Sequence, residues 1–366
     1  MNMTDCDNLL TVLLVIKDRP KFTERFLKYA DETFFPFKIL IADGGRDQDL
    51  QNLLSKGTYF RNLYCTYYRY PYDASYKEYY SKVESVLGKV QTPFCVVADD
   101  DNFFSVDGLQ RAVSFLSQNS DYSACQGYTF GFRLEPTSSH FYGERVSFSK
   151  PILNQHYCLE NHSAADRLVD FSKKNSTICY AVQRTENMRK IYREINRVNF
   201  HDLYITEVFY NFLTVVNGKV CQGKYPFMYR QFNTYNSSCE QASLVADEFD
   251  RMLWNTFSDE FGQFVSVLTE AMSVKDGSDI DKACSVVKKA FRAVSTPTIM
   301  ACLNKNRQKP TFDSVIRRNA LLMRIFRSAA LRSVPMSHAI KELFFKEKSA
   351  LARFLTNDSI NTSMCK

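Results

Sequence analysis

The stretch FCVVADDDNFF, residues 94–104, is the most informative part of this sequence. It reads as a short buried strand that ends abruptly in three carboxylates, Asp99, Asp100 and Asp101. Adjacent acids repel one another, so a cation usually compensates them, and carboxylate oxygens suit Mg²⁺ or Mn²⁺. The carboxyl ends of strands are also where open α/β sheets bind ligands. A solvated acidic turn is the alternative, and the neighbouring segments decide between the two.

Strands and helices alternate outward from this stretch through the first third of the chain. Apolar runs predict strands over 9–16, 37–43, 63–70 and 94–98. Helical spacing of apolar residues predicts helices over 20–29, 76–88 and 106–118. Such alternation is typical of a parallel sheet covered by helices. We therefore predict an α/β fold with a mostly parallel, Rossmann-like sheet.

The rest of the chain reads as two further strands, a helix–strand unit and a helical end. Residues 124–135 and 177–182 resemble strands, and a helix starting near His201 ends near Asn217, before a strand at Lys219. Residues 240–295 are mainly helical in pattern, and the chain from about 310 is helical and basic. This predicts a helical C-terminal region.

The cysteines and the hydropathy pattern indicate a soluble, cytoplasmic protein. The eleven cysteines are scattered and form no CxxC pair, which fits reduced, packed thiols better than zinc ligands or a disulfide framework. The first residues, MNMTDCDNLL, lack a secretory signal pattern. No run of about 18 apolar residues occurs, so a membrane-spanning helix is not expected.

Positive charge is concentrated towards the end of the chain. The net charge is +7, and residues 305–353 contain twelve Lys or Arg against three acids. Residues 314–334 predict a basic amphipathic helix, which would either lie on an anionic membrane surface or dock on protein. Nucleic-acid binding is not expected, because the basic cluster is rich in apolar residues and lacks a recognition motif.

Three segments, in order, resemble the GT-A glycosyltransferases that use nucleotide sugars. They are residues 9–45, with the strand–KDRP–helix opening and KILIADGG; residues 89–104, with DDD; and residues 201–220. The pattern is closest to a bacterial-type subgroup of family-2-like inverting enzymes. The resemblance covers roughly residues 9–235, so we expect a catalytic domain over 1–238 and a helical region over 239–366.

The resemblance implies a nucleotide site at the ends of the first two strands. Its positions match Ile16, Lys17, Asp18, Arg19 and Asp43, and Lys82 on the helix before the acid cluster is a further candidate. Asp43 would accept a hydrogen bond from the base or ribose, although Asp before Gly-Gly also favours a turn. Arg19 is equally compatible with a place beside the next helix, and Lys82 with an exposed helical position.

The same resemblance makes the acid cluster a DxD motif. Asp101 would ligate Mn²⁺ or Mg²⁺, and Asp99 would contact the ribose or the metal. Asp100 would point elsewhere by strand alternation, towards the sugar. A divalent cation would stabilise the charge that grows on the leaving diphosphate.

The catalytic base implied by the resemblance is Asp202. It follows His201, where the family usually has Glu, at the start of a helix. A carboxylate there would remove the proton of the acceptor hydroxyl in an inverting displacement. The alternative is a helix cap, which Asp favours at such a position. Glu207 is a second candidate base.

Residues 225–238 occupy the place of a mobile loop that closes on the diphosphate in the family. Arg230 would contact phosphate, Tyr229 or Tyr235 would stack, and Arg184 would face either the acceptor or solvent. The QxxRW signature of processive polymerases is absent. A single-addition transferase is therefore expected.

The predicted function is metal-dependent, inverting transfer of a sugar from a nucleotide sugar, with a UDP-sugar as the expected donor. The acceptor would be a glycan or lipid-linked hydroxyl in polysaccharide or glycoconjugate synthesis, with the enzyme cytoplasmic and peripheral on the membrane. The alternatives are a nucleotidyl- or phosphotransferase and a non-catalytic, membrane-associated assembly factor. The sequence leaves the oligomeric state open.

Overall fold

Two strands that are buried along their whole length form the centre of the sheet. They are β1 (Leu10–Ile16) and β4 (Phe94–Ala98), which pair in parallel with Leu10 opposite Phe94. Strands covered on both faces are continuous apolar runs, which is why the sequence reveals them. The computed structural model describes residues 8–55, 60–135, 141–151, 158–174, 177–232, 234, 248–305 and 338–356.

Eight further strands in these residues join the same sheet. They are β2 (Lys38–Asp43), β3 (Cys65–Arg69), β5 (Asn102–Phe104), β6 (Tyr122–Glu135), β7 (Arg145–Pro151), β8 (Cys158–Leu159), β9 (Val182–Arg184) and β10 (Lys219–Gln231). The order across the sheet is β3-β2-β1-β4-β9-β6-β10-β5, with β7 beside β6 and β8 beside β10. Strands β3, β2, β1, β4, β6 and β10 run in one direction, whereas β5, β7, β8 and β9 are antiparallel to their neighbours. The predicted α/β class with a mostly parallel sheet is confirmed.

Helices cover both faces of this sheet. The described helices are α1 (Pro20–Glu32), α2 (Asp49–Ser55), α3 (Tyr76–Leu87), α4 (Val106–Gln118), α5 (Ala164–Lys174), α6 (Thr185–Val198), α7 (Leu203–Asn217), α8 (Glu248–Met252), α9 (Asn255–Asp276), α10 (Ile280–Lys305) and α11 (His338–Thr356). Helices α1, α2 and α4 pack on one face, and α3, α5, α6 and α7 on the other. None of the helices in the described ranges has the length and apolar content needed to cross a bilayer.

The C-terminal helices share cores with the rest of the chain. Helices α9 and α10 contribute to the same apolar cluster as α5, α6 and α7. Helix α11 packs on the aromatic ends of β5, β6 and β10, where the Phe344 and Phe130 rings stack with centroids 4.2 Å apart. The predicted helical C-terminal region is confirmed, and the boundary at residue 238 stays a prediction. The predicted basic helix 314–334 lies outside the described residues.

One strand prediction is wrong in part. Residues 177–181 lead into β9 through a turn, and only Val182 of the predicted strand belongs to it. The amide of Ala181 donates to the carbonyl of Ile178 at 3.1 Å, and the amide of Ile178 donates to Asn211 Oδ1 at 3.2 Å. The apolar residues of 177–181 thus reflect burial and not a strand. Hydrogen bonds within a turn and to a side chain satisfy the backbone of this segment instead of hydrogen bonds to a neighbouring strand.

Glu347 is a buried acid that ties α11 to the sheet, and we expect its titration to set part of the pH dependence of stability. It accepts hydrogen bonds from Ser105 Oγ at 2.6 Å and Tyr229 Oη at 2.9 Å. Burial raises the pKa of Glu347 from 4.5 to about 6. The folded state thus binds this proton more tightly than the unfolded state, so stability declines as pH rises from 4.5 through 6.

Glu347→Gln keeps a hydrogen-bonding side chain and removes this titration. Above pH 7 we expect the variant to be more stable than the wild type by about 1–2 kcal/mol. Urea unfolding at pH 4 and pH 7 measures the difference. Parallel pH profiles for the two proteins would contradict the assignment.

Candidate active site

The carboxyl ends of four parallel strands meet at one edge of the sheet. Strand register places Ile16 beside Asp43 and Asp43 beside Arg69, and the end of β4 lies next to the end of β1. Asp99 follows β4 directly. The register therefore brings the predicted nucleotide positions and the acid cluster to the same edge.

Arg19 supplies the positive charge closest to the acid cluster. Its guanidinium donates to Asp101 Oδ2 at 2.9 Å and lies 3.4 Å from Asp100 Oδ1. Asp100 also accepts a hydrogen bond from Thr23 Oγ1 at 3.1 Å, so its carboxylate is held against α1. Arg19 is therefore a half-buried partner of the acids just before α1, and its contact with a nucleotide stays a prediction.

Burial raises the proton affinity of this cluster. Burial and the neighbouring Asp101 raise the pKa of Asp99, while the Tyr180 hydroxyl, Arg230 and Arg19 oppose the shift. Burial raises the pKa of Asp100 to about 7 against the attraction of Arg19. A second cation arriving at the cluster would therefore favour the fully ionised acids.

Asp99 belongs to a group that includes Tyr180 and Arg230. The Tyr180 hydroxyl donates to Asp99 Oδ2, and the Arg230 guanidinium lies 5.7 Å from the centroid of the Tyr180 ring. Antiparallel pairing of β10 with β5 sets Arg230 opposite Asn102, directly after the acids. The structure thus brings the predicted phosphate-binding arginine to the acid cluster across about 130 residues of chain.

Asp43 is buried and already has three partners. Its Oδ1 accepts the Gly45 amide at 2.8 Å, which is the turn that Asp-Gly-Gly favours. Its Oδ2 accepts the Tyr67 hydroxyl at 2.7 Å and the Arg69 guanidinium at 2.8 Å. A nucleotide contact would therefore share or displace one of these bonds.

Lys82 is buried under the edge and does not lie on the helix surface. Its ammonium group forms an ion pair with Asp73 and donates to the carbonyl of Ile16 at 2.9 Å. That carbonyl also accepts the Gly44 amide at 3.1 Å. Lys82 therefore fixes the end of β1 and the turn after β2, which are two walls of the predicted nucleotide site.

Lys17 lies beside an aromatic residue that the sequence did not single out. Its ammonium group is 4.9 Å from the centroid of the Tyr72 ring, and the Arg46 guanidinium is 4.2 Å from the same centroid. Cations over a ring face are attracted by its quadrupole. Tyr72 is half-buried, so this arrangement forms part of the open rim near the strand ends.

Asp202 makes the contacts of a helix cap. Its Oδ1 accepts the Ile205 amide at 3.1 Å, and its Oδ2 accepts Arg251 Nε at 2.6 Å. The neighbouring His201 donates its backbone amide to Glu260 at 2.9 Å, and its ring lies 3.2 Å from the same carboxylate. The capping alternative is therefore observed, and Asp202 as the base remains a prediction.

Glu207 lies one and a half turns further along α7 and is exposed. Burial of its surroundings raises the pKa of Glu207 to about 7, with repulsion from Asp99 and Asp202 adding and attraction to Arg230 opposing. Solvent screens part of these effects, since the side chain is exposed. Glu207 thus lies in the field of the acid cluster and of the arginine beside it.

Two further sequence predictions do not fit the structure, the acceptor contact of Arg184 and the stacking of Tyr229. Arg184 donates to the carbonyls of Tyr122, Leu116 and Asn119, at the edge of the sheet opposite the acids. Tyr229 is buried against Phe344 and bonds to Glu347, so it offers no face for stacking. A tyrosine next to an arginine in an extended strand alternates to the other side of the sheet, which explains the second error. Tyr235 lies outside the described residues.

The carboxylates of Asp99 and Asp101 fit a magnesium or manganese ion bound together with a phosphate. Each uses its Oδ2 in hydrogen bonds, and within the described residues neither Oδ1 accepts one. Mg²⁺ is commonly held by one or two carboxylates plus substrate phosphates. The described part of the chain has no cluster of three or more His, Cys, Asp or Glu side chains that would enclose an ion by itself.

The sequence analysis missed the residues that support the site from a distance. Asp73 and Tyr180 had no recognisable motif around them. The sequence analysis also did not single out Arg25 of α1. This residue is buried and donates to the carbonyl of Phe141 at 2.7 Å and to Gln231 Oε1 at 2.8 Å. Burial lowers the pKa of Arg25 to about 10. A charged residue on an apolar helix face was the one signal that pointed to it.

The sequence matches no protein-family model and none of the curated proteins. A solved structure of S. aureus TarS residues 1–349 in complex with UDP-GlcNAc matches 89% of this chain and 81% of that chain, with a TM-score of 0.52 and 11% identity. The chain has a GT-A fold. The complex of the same TarS fragment with UDP matches 77% of this chain and 91% of that chain, with a TM-score of 0.46 and 11% identity.

A third TarS structure matches 79% of this chain and 54% of that chain, with a TM-score of 0.42 and 12% identity. At these identities the similarity concerns the GT-A fold alone. In open sheets of this kind, ligands bind outside the carboxyl ends of the strands. The edge that holds Asp99, Arg19 and Arg230 is therefore the candidate active site.

Proposed function

We propose that this chain is a glycosyltransferase that moves a sugar from a nucleotide sugar to an acceptor hydroxyl. One observation carries the proposal: Asp99, Tyr180 and Arg230 form one group at the carboxyl edge of a GT-A sheet. A basic group can bind the diphosphate of a nucleotide sugar. An acidic group beside it can bind a cation or accept a hydrogen bond from the ribose. The similar TarS structure contains UDP-GlcNAc, which supports a UDP-sugar as the donor.

The nucleotide would lie across the ends of β1 and β2. Ile16, Lys17 and Asp43 form these ends, and Tyr72 offers a ring at the rim. Lys82 would act by holding the Ile16 carbonyl, because its own ammonium group is buried and paired with Asp73. Arg19 would set the orientation of the acids, and Arg230 would contact the diphosphate.

The metal in this proposal is Mn²⁺ or Mg²⁺, held by Asp99 and Asp101. When bound, such an ion stabilises the negative charge that grows on the leaving diphosphate. Asp100 is not a ligand in this proposal, because its two oxygens face Arg19 and Thr23. Arg19 and Arg230 would hold the anionic groups in place around the ion.

Transfer with inversion needs a base for the proton of the acceptor hydroxyl. Asp202 is the residue that the sequence predicts, but its two oxygens are bonded to the Ile205 amide and to Arg251. Glu207 is exposed on the same helix, where an acceptor can reach it, and its pKa is raised, which favours a carboxylate that takes up a proton near neutral pH. We therefore propose Glu207 as the base and Asp202 as the residue that fixes the start of α7.

A panel of UDP-, GDP-, dTDP- and CMP-sugars tests the activity. We expect thermal stabilisation and slow donor hydrolysis with one nucleotide class, both increased by Mn²⁺ or Mg²⁺. Metal-dependent turnover of nucleotides without sugar release would indicate a nucleotidyl- or phosphotransferase. No binding of any donor would favour a non-catalytic assembly factor. The membrane role of residues 314–334 stays a prediction, tested by vesicle binding after Arg317, Arg318, Arg324 and Arg332 are changed to Gln, which leaves α11 in place.

Asp101→Asn is expected to weaken metal-stimulated donor binding by about 100-fold, because it removes one of the two ligand charges. Asp121→Asn is the matched control, since Asp121 is an exposed acid paired with Lys219 at the opposite edge of the sheet. Isothermal titration with and without Mn²⁺ measures both variants. Equal losses in the two variants, or none in Asp101→Asn, would contradict the proposed ligand set.

A further inference from the structure

Three cysteines stand in register across three neighbouring strands, away from the candidate active site. Cys125 of β6 pairs with Cys221 of β10, and Cys221 pairs with Cys158 of β8. Residues opposite one another in a ladder point to the same face of the sheet. The three thiols therefore form a row, although 33 and 63 residues separate Cys158 from the other two in sequence.

The thiols of Cys158 and Cys221 are in direct contact. Their sulfur atoms are 2.7 Å apart, and the two residues are opposite each other on antiparallel strands. Side chains directly opposite in such a pair have Cβ atoms about 4.5–5.5 Å apart. A disulfide needs a slightly shorter separation, near 3.8 Å, which a small movement of the short strand β8 would supply.

Exposure distinguishes the members of the row. Cys158 is half-buried, whereas Cys221 and Cys125 are buried. A reagent from solvent would therefore react with Cys158 first. Cys221 is the buried thiol next to it and would react second. The row is not a metal centre by itself, because no set of three or more ligating side chains in the described ranges could hold an ion.

We propose that Cys158 and Cys221 form a reversible disulfide site that ties β8 to β10 when a small-molecule disulfide is present. This proposal does not depend on the proposed glycosyltransferase activity. It goes beyond the expectation of reduced, packed thiols, which the free cysteines of the structure fit. Packing explains a buried thiol, but it does not require two thiols to face each other across a ladder.

The chemistry is thiol–disulfide exchange in two steps. The Cys158 thiolate attacks one sulfur of the small disulfide, forms a mixed disulfide and displaces one small thiolate. The Cys221 thiolate then attacks the Cys158 sulfur and displaces the second. The displaced thiolates take up the two protons that the protein thiols lose. The protein pair is oxidised by two electrons, and one small disulfide is reduced to two thiols.

The surroundings keep both thiols protonated at neutral pH. The hydrogen bond between the two thiols and burial raise the pKa of Cys158, and contact with Cys125 is the largest cause that raises the pKa of Cys221. Glu160, which accepts a hydrogen bond from Tyr122 at 2.9 Å, adds negative charge near both. The Tyr225 hydroxyl lies 3.5 Å from the Cys125 sulfur, and Tyr122 interacts with Cys158 and Cys221, so both are further titratable neighbours.

The rate of disulfide formation should therefore rise steeply with pH. Only the thiolate attacks, and below its pKa the thiolate fraction grows about tenfold per pH unit. We expect a rise of about 100-fold between pH 7 and pH 9. At neutral pH the disulfide should therefore form slowly. A rate that does not change with pH would overturn the proposed attack by Cys158.

Peptide mapping of the full chain tests the proposal. The reduced protein is incubated with glutathione disulfide at pH 8.5, its remaining thiols are alkylated, and the digest is analysed by mass spectrometry. We expect one linked peptide pair containing Cys158 and Cys221, lighter than the two free peptides by two hydrogen atoms and separated again by dithiothreitol. The wild-type chain gives this result by itself, whether or not the variants fold.

Two variants and a matched control complete the test. Cys158→Ser and Cys221→Ser should abolish the link. Cys65→Ser should leave it intact, because Cys65 is also a half-buried residue at the start of a strand but is not part of the row. Glutathione retained on Cys158 without a link to Cys221, or a dominant link between Cys125 and Cys221, would overturn the proposal.

Discussion

Glu207→Gln is expected to lower the turnover of donor and acceptor by about 10²–10⁴-fold, the range for loss of a general base. The amide keeps the size of the side chain but does not accept the proton of the acceptor hydroxyl. Donor affinity should change by less than about threefold, because the base acts on the acceptor in the transition state. Steady-state kinetics together with donor titration separate these two effects.

Asp202→Asn is the comparison that assigns the base. An asparagine still caps α7 through its side-chain oxygen, and it loses the charge that pairs with Arg251. If Glu207 is the base, we expect a loss of turnover below about tenfold and a loss of stability of about 1–3 kcal/mol. A severe loss of turnover in Asp202→Asn, with Glu207→Gln nearly unaffected, would return the role to the residue that the sequence predicts.

The pH profile gives a second readout of the same prediction. A base must be deprotonated, so kcat/KM should rise with pH along a limb above pH 4.5, because the surroundings raise the pKa of Glu207 and solvent screens part of that shift. The charged groups that act on this carboxyl are Asp99 and Asp202, which raise its pKa, and Arg230, which lowers it. Arg230→Gln should therefore move the rising limb to higher pH. A limb that persists in Glu207→Gln would mean that another group titrates.

Lys82→Met is expected to destabilise the chain by about 3–5 kcal/mol, the usual cost of removing one member of a buried ion pair. Lys82 and Asp73 are both almost fully buried, and their side chains are paired. Without Lys82 the Asp73 carboxylate would be left without its partner, and the Ile16 carbonyl would lose a donor. Chemical denaturation measures the change in the free energy of unfolding.

Two further variants show whether the loss comes from the pair. Lys77→Met on the exposed side of α3 is the matched control and should change stability by less than about 0.5 kcal/mol. Asp73→Leu combined with Lys82→Met removes both charges and should recover much of the loss. A double variant as unstable as Lys82→Met alone would show that the ion pair does not explain the effect.

The strands and the acid cluster were visible in the sequence because local pattern determines them. β1, β2 and β4 are apolar runs that end in polar residues, and parallel pairing then sets Ile16, Asp43 and Asp99 along one edge. The helix α7 and the start of β10 were also predicted, since Asn217-Gly218 breaks the helical pattern. In each case the signal lies within about fifteen residues of chain.

The contacts that shape the site were not predictable in this way. Tyr180 meets Asp99, and Arg25 meets Gln231, only after the sheet has formed. The role of Lys82 was also hidden, because a lysine on a helix says nothing about whether Asp73 faces it. Asp202 shows a different difficulty, because its sequence context fits both a helix cap and a catalytic base. Its partner Arg251 is 49 residues away in the sequence and could not be foreseen.

The central claim is that the nucleotide sugar binds at the carboxyl edge of the sheet, between the acid cluster and Arg230. Crystals soaked with Mn²⁺ and a UDP-sugar test it directly through the anomalous signal of manganese. We predict a manganese peak within coordination distance of Asp99 and Asp101, with the diphosphate on the side of Arg230. Nucleotide density at another place, with this edge empty, would contradict the account.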